Sequence, residues 1–459
     1  MNAPATAEAD FPADSIARGP VAAAGELAAW LKDSRARLLD VTSGLTPQQL
    51  IGPHRSTVSP ILWAMGHVAF FQERWAWRQH FGQAPLRPWA ERLYDSIEVD
   101  PAARWQIALP GLAETRAYLD EVLERLLDRL AGTEPSLAAT YFHRLAVFHE
   151  DMHAEAIAYD RNTLGYPAPP VRALPRGGGP LPAAGETGGP WSGDVEIPGC
   201  AAFPLGATPD RPFVWDNEKW AHPVAVAPFR LARAPVTCGE FAAFVEAGGY
   251  REERHWSPAA WRWLKGLALA HPAAWHKAAG GGWRVRRYGQ WVPVPEHHPV
   301  TPISWHEAQA FCAWAGRRLP TEAEWELAAA TGPDGWAPGQ APHKSRYPWG
   351  DEPPAPERAN VDAYRAGTLP VNALAAGDSA WGCRQMVGNV WEWTADAFYP
   401  FPGFVLDPYR EYSAPWFGHH KVLKGGAWTT RGRLVHTGWR NFYLPARMDI
   451  PAGFRTCAR

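Results

Sequence analysis

The chain is poor in sulfur, with five cysteines and five methionines in 459 residues. Cys200, Cys238, Cys312, Cys383 and Cys457 are odd in number and spaced too widely for a zinc ribbon or a redox pair, so they read as reduced thiols, mostly core filler. Charge of one sign is also missing: 45 Lys and Arg against 47 Asp and Glu leave a net charge of -2, and no electrostatic footprint for nucleic acid. No run approaches 18 apolar residues, and the opening string MNAPATAEADFPADS has neither a basic nor an apolar region. No membrane span or export signal is expected, and the chain reads as cytoplasmic. What is abundant is 26 Trp, 46 Pro and 42 Gly, a composition for loop-rich architecture held by aromatic packing.

Two textures divide the chain. Residues 1–20, small and polar, read as a disordered tail. Residues 21–165 carry four helical patterns and no strand signal, which suggests a four-helix bundle. The patterns cover about 22–44, 60–81 with Ser59 as N-cap and Pro60 at the first helical position, 111–131 ending at Gly132, and 136–163 ending near Gly165. Residues 166–195 are too rich in Pro and Gly for helix or sheet and read as a linker. From 196 to 459 strands are short and Trp is dense. There the helices are announced by the capping boxes Thr237/Glu240, Ser304/Glu307 and Thr321/Glu324, so an irregular α+β domain is expected.

The chemically loudest string is His149-Glu150-Asp151-Met152-His153. Residues i and i+4 lie about 40° apart around a helix, so both imidazoles leave one face, the spacing of a metal-ligand pair. Flanking Phe142, Leu145, Ala146 and Ile157 place this helix in a core, where unpaired imidazoles are costly. The string also fits the H-E-x-x-H protease signature. That reading fails for want of a third ligand, because the position six residues beyond the second histidine is Tyr159. A third imidazole is available upstream: His67, in SPILWAMGHVAFFQERW, can complete a three-histidine site across the bundle. His54 and His143 are left out, His143 because it falls on another face.

The strings FVWDNEKWAHPVAV, VTPISWHEAQAFCAWAGRRLPTEAEWELAA, MVGNVWEWT, VLKGGAWTT and AGFRTCAR resemble the formylglycine-generating-enzyme (sulfatase-modifying-factor) fold, an irregular, C-type-lectin-like domain. The first half, with His67 and HEDMH, resembles a DinB-like bundle. Together they resemble the ergothioneine-pathway sulfoxide synthases. The resemblance implies a non-heme Fe(II) enzyme that uses O2 to join a sulfur donor to C2 of hercynine, the histidine betaine, with His67, His149 and His153 as metal ligands. KGGAWTTRGRLVHTGWRN lacks the cysteine that a formylglycine generator needs, and Cys457 reads as packed.

The same resemblance places a catalytic, proton-donating tyrosine at Tyr409 or Tyr412. It assigns substrate contacts to Asn441, Phe442, Tyr443 and Arg447, to Phe71 beside His67, and to Arg104. Two positions depart from the thiol-using enzymes: Tyr443 replaces the aspartate that holds the donor's ammonium, and Met152 replaces a glutamine. The stretch LYDSIEVDPAARWQIALP, around Tyr94, Asp95 and Arg104, diverges as well. These departures resemble the selenoneine synthase branch, whose donor is the selenosugar 1-seleno-β-D-glucose. The alternatives are an ergothioneine-type synthase using γ-glutamylcysteine or cysteine, and a non-catalytic, metal-stabilised binding module. Asn360 and Asp362 are candidate ligands of a structural Ca2+.

Overall fold

The computed structural model describes residues 19–132, 134–170, 192–334 and 342–459. Most of the expected tail and the centre of the expected linker, 171–191, therefore lie outside the described residues. Where the tail is described it is packed: Gly19 is buried and the Pro20 carbonyl accepts from Arg144 Nη1 at 3.3 Å. The chain divides into two compact units. The first comprises Met1–Arg172, Thr208–Asp216 and Val405–Tyr412; the second comprises Ala173–Ala207, Asn217–Phe404 and Ser413–Arg459.

The first unit is helical: α1 (Ala24–Thr42), α2 (Pro47–Ile51), α3 (Ile61–Gln72), α4 (Ala90–Tyr94), α5 (Leu112–Leu130) and α6 (Leu137–Thr163). The four long helices are those the periodicity predicts. α5 buries one stripe, Thr115, Tyr118, Leu119, Val122, Leu126 and Leu130, at helical spacing. α6 starts at Ser136, whose hydroxyl accepts from Ala139 N at 3.1 Å. The start of α3 differs from expectation. Pro60 itself is the N-cap, with an extended ψ of 129°, and the Ser59 hydroxyl accepts from Arg104 Nη1 at 2.8 Å instead of capping. All twelve residues of α3 are buried, so this is a central helix. Beyond it, Glu73–Gln79 continue as a wider π-helical turn.

The second unit is built from β1 (Asp194–Ile197), β2 (Cys200–Leu205), β3 (His222–Val226), β4 (Phe229–Ala232), α7 (Cys238–Glu246), α8 (Pro258–Gly266), β5 (Trp275–Lys277), β6 (Trp283–Arg287), β7 (Gln290–Pro293), α9 (Trp305–Trp314), β8 (Arg317–Arg318), α10 (Glu322–Ala330), β9 (Trp391–Ala397), β10 (Lys421–Lys424), β11 (Asn441–Tyr443), β12 (Ala452–Gly453) and β13 (Cys457–Ala458). One sheet runs β1-β4-β13-β8 and another β11-β10-β9-β12, the β9–β12 pair being parallel. Strand β1 already pairs at Asp194, opposite Ala232, within the stretch expected to be linker. All three capping boxes form on both sides, at the starts of α7, α9 and α10. The core holds Trp325, Trp391 and Trp393, each essentially fully buried. Beside them Arg455 forks onto Glu392 at 2.6 and 2.7 Å, and Trp325 Nε1 donates to the same carboxylate at 2.8 Å. The cysteines are free, and burial pushes the Cys457 thiol up to about 12, so it is not a nucleophile. The architecture is thus a helical domain followed by a mixed α+β domain. No helix among the described residues is long and apolar enough to cross a membrane.

Candidate metal centre

The site lies in the first unit, where α3 contributes His67 and α6 contributes His149 and His153. One ring nitrogen from each lies within 4.8 Å of the other two. Among the described residues this trio is the group of His, Cys, Asp or Glu side chains placed to hold a metal ion. Ring centroids are 5.0 Å apart for His67–His149, 5.0 Å for His67–His153 and 4.5 Å for His149–His153. His67 Nε2 and His149 Nε2 approach to 3.2 Å. Two nitrogens bound at ~2.1 Å to one cation on adjacent octahedral positions stand about 3 Å apart, so the observed spacing fits a shared cation.

The electrostatics agree. Burial lowers His67 to about 4 against the pull of the Tyr94 carbonyl, with Arg104 lowering it further. Burial first, and then mutual repulsion with the other imidazoles, holds His149 and His153 well below the ordinary histidine value. All three are therefore neutral at pH 7, the form that ligates. His67 Nδ1 donates to the Tyr94 carbonyl at 2.7 Å, which leaves Nε2 as the basic nitrogen. His149 is covered by Phe71, stacked at 3.5 Å and 5°.

Glu150, the residue that would be the base in a zinc protease, is consumed structurally. It is fully buried and accepts from Ser34 Oγ at 3.1 Å, Arg35 Nε at 2.8 Å and Gln72 Nε2 at 2.6 Å. That network ties α1, α3 and α6 together behind the histidines. His143 is also set apart, bonding the Ala139 carbonyl within its own helix, and His54 lies 4.7 Å from the Trp105 ring, tilted at 60°.

Other expected residues gather in the same unit. The Tyr409 ring lies 4.9 Å from Phe71 and 6.3 Å from His149. Burial, followed by the carboxylates of Glu411 and Asp95, pushes its phenol far above the ordinary value, so it is a protonated donor. Tyr412 stacks on Trp215 at 4.1 Å and its hydroxyl reaches the Met152 sulfur at 3.7 Å. The Arg104 guanidinium sits 3.8 Å over the Trp63 ring, and burial lowers it to about 10. A small cavity is lined by His67, Phe71, Arg74, Asp95, Tyr409 and Glu411. The Arg74–Asp95 ion pair on its wall joins two residues 21 positions apart, so although Asp95 stands out in the divergent stretch, its partner could not be read from the sequence.

Asn441, Phe442, Tyr443 and Arg447 belong to the second unit. Asn441 Oδ1 accepts from the Phe442 amide at 2.8 Å, and Phe442 stacks on Phe398 at 4.1 Å. The Arg447 guanidinium lies 5.0 Å over the Tyr443 ring and bonds Asp449 at 2.6 Å. The calcium reading gains no support, since Asp362 is ion-paired with Arg431 at 3.1 Å and the Asn360 amide donates to Gly367 O and Asn389 Oδ1, both at 3.0 Å.

Comparison with known proteins places these features. Residues 30–158 match the DinB superfamily, and residues 190–459 match the sulfatase-modifying factor enzyme 1-like domain. A hercynine oxygenase of Mycolicibacterium thermoresistibile is 35% identical over 442 residues, covering 94% of this chain and 94% of its own. The hercynine oxygenase of Mycobacterium tuberculosis is 36% identical over 438 residues, covering 94% of this chain and 98% of its own. The chain belongs to the hercynine oxygenase family. A formylglycine-generating enzyme of Thermomonospora curvata shares 34% identity over 284 residues, but covers only 55% of this chain. Membership of the hercynine oxygenase family takes in the helical half as well, which carries the three histidines, and it makes the chain an oxidoreductase.

Proposed function

We propose that this hercynine oxygenase relative is a non-heme iron(II), O2-dependent selenoneine synthase that joins C2 of hercynine to the selenium of 1-seleno-β-D-glucose. In the balanced reaction the C2 hydrogen and the Se–H hydrogen leave with one oxygen atom as water, and the second oxygen remains on selenium. His67, His149 and His153 would hold the ferrous ion, which would supply O2 activation when bound. Around it, Phe71 covers His149 and fixes that ring, and Tyr409 holds a proton at its phenol oxygen, available to reduced oxygen.

The observation that carries the choice of donor is the trio Tyr443, Arg447 and Asp449. A phenol ring stands where thiol-using relatives keep a carboxylate for an ammonium, and the arginine is already bonded to an aspartate of its own chain. Such a site offers a hydroxyl and a stacking face, which suit a sugar, and its Asp449 carboxylate is ion-paired with Arg447, whereas the ammonium of γ-glutamylcysteine requires a carboxylate of its own. The second reading, a thiol donor giving an ergothioneine-type sulfoxide, is favoured by 35–36% identity to proteins called hercynine oxygenases.

The deciding experiment supplies iron-loaded protein with hercynine and O2 plus the selenosugar, γ-glutamylcysteine or cysteine, and follows products by mass. A selenium-containing adduct formed preferentially from the selenosugar supports the proposal. Efficient turnover with γ-glutamylcysteine and none with the selenosugar reverses it, and absence of turnover with every one of the donors, in protein that fails to take up iron, leaves the binding-module reading.

A further inference from the structure

We propose that the short helix α4 is a latch that orients His67 for metal binding, and that Gly66 and Trp63 on α3 are the positioning residues through which it acts. This rests on the metal reading above, and it concerns side chains that no motif marks.

The last carbonyls of any helix lack partners within it. In α4 two of them, Leu93 O and Tyr94 O, point at α3. Trp63 Nε1 donates to Leu93 O at 2.7 Å, and His67 Nδ1 donates to Tyr94 O at 2.7 Å. Trp63 and His67 are one turn apart on α3, and their rings lie parallel, 4.8 Å apart at 10°. One end of a five-residue helix thus grips two neighbouring side chains of a buried helix. A carbonyl can only accept, so Nδ1 carries the proton and the lone pair of His67 is confined to Nε2, the nitrogen that faces His149.

The grip needs a close approach of the two helices. Gly66 lies beside His67, and a Cβ built there would clash with the hydroxyl-bearing edge of the Tyr94 ring. The glycine is therefore demanded by contact, since its backbone is ordinary α-helix. The other side of Trp63 is closed by the Arg104 guanidinium, 3.8 Å over the ring. After α4 the chain is pinned by Asp95, whose carboxylate accepts from the Ile97 amide at 3.0 Å. His67 thus has its tautomer and its rotation set by a segment outside both metal-bearing helices.

The test titrates chelator-stripped protein with Co(II), and with Fe(II) under anaerobic conditions, for wild type, Gly66→Ala and Trp63→Phe. Affinity and the Co(II) d–d spectrum are read alongside circular dichroism and melting of the metal-free form. Gly66→Ala should push α4 away and weaken binding by roughly 10- to 100-fold, the usual cost of losing an outer partner of a ligand, with an altered d–d spectrum. Trp63→Phe keeps the stack and loses one hydrogen bond, so a weakening of roughly two- to tenfold is expected with near-normal melting. A folded Gly66→Ala protein with wild-type affinity and spectrum overturns the latch. If Gly66→Ala does not fold, unchanged affinity in Trp63→Phe overturns it. Wild-type protein that binds neither ion would instead overturn the metal reading on which the latch depends.

Discussion

The imidazole cluster of the first unit and the core of the second bury polar groups in opposite ways. In the second unit buried charges meet opposite charges: Arg455 with Glu392 at 2.6 Å, Arg440 with Glu322 at 2.7 Å, Lys424 with Glu326 at 3.0 Å. At the centre of the first, three imidazoles are buried together with no carboxylate among them, and each is driven toward its neutral form. A satisfied pair explains its own burial. A cluster of neutral imidazoles, one ring nitrogen of each within 4.8 Å of the other two, does not, and it is the observation on which the proposed cation site rests.

That contrast can be broken most severely at the histidines. Replacing His67, His149 or His153 with alanine should reduce bound iron and turnover to background while the metal-free protein stays folded, as judged by elemental analysis and circular dichroism; full iron content in any one variant would remove that residue from the ligand set. Tyr409→Phe keeps the ring against Phe71 and removes only the proton, so turnover should fall roughly 10²- to 10⁴-fold at unchanged metal affinity. Tyr412→Phe, which loses a contact to sulfur, should cost less than about tenfold; the reverse order would exchange their roles.

The second unit answers differently. Glu392→Gln leaves the Arg455 guanidinium buried without its counter-charge and should destabilise by about 3–5 kcal/mol in urea unfolding. The smallest expected effect is on pH. His67 stands at about 4 in the folded chain against an ordinary 6.5, so the unfolded chain binds the proton first as pH falls. Its contribution to stability is complete above 6.5, declines between 6.5 and about 4, and amounts to about 3 kcal/mol in metal-free protein. Urea midpoints that stay flat across that window would show His67 protonating in place.

The contrast also governs what could be read from sequence. Long helices announce themselves because burial repeats every three to four residues, and His149 and His153 were legible for the same reason. His67 was legible only as a polar residue inside an apolar string, and its partnership needed packing to decide it. In the second unit the capping boxes were local and readable. The ion pairs join residues such as Glu392 and Arg455, 63 positions apart, and no short pattern encodes them. Tyr409 and Tyr412 could be named but not assigned, because their segment, 405–412, packs with the helical unit far from it in sequence. Ser59 was misread as a cap for a similar reason, since a distant arginine takes its hydroxyl.

The π-helical turn at Glu73–Gln79 bears on how this helix tolerates change. A wide turn accommodates one residue more than an α-helix of the same rise, so everything beyond it is rotated by about 100° relative to the register that carries His67 and Phe71. Deleting a single residue there would let the helix run straight and swing Trp75 and Trp77 to a different bearing, while leaving the imidazole upstream untouched. Length variation at that turn is thus a route by which related chains can reshape the surroundings of a fixed ligand set.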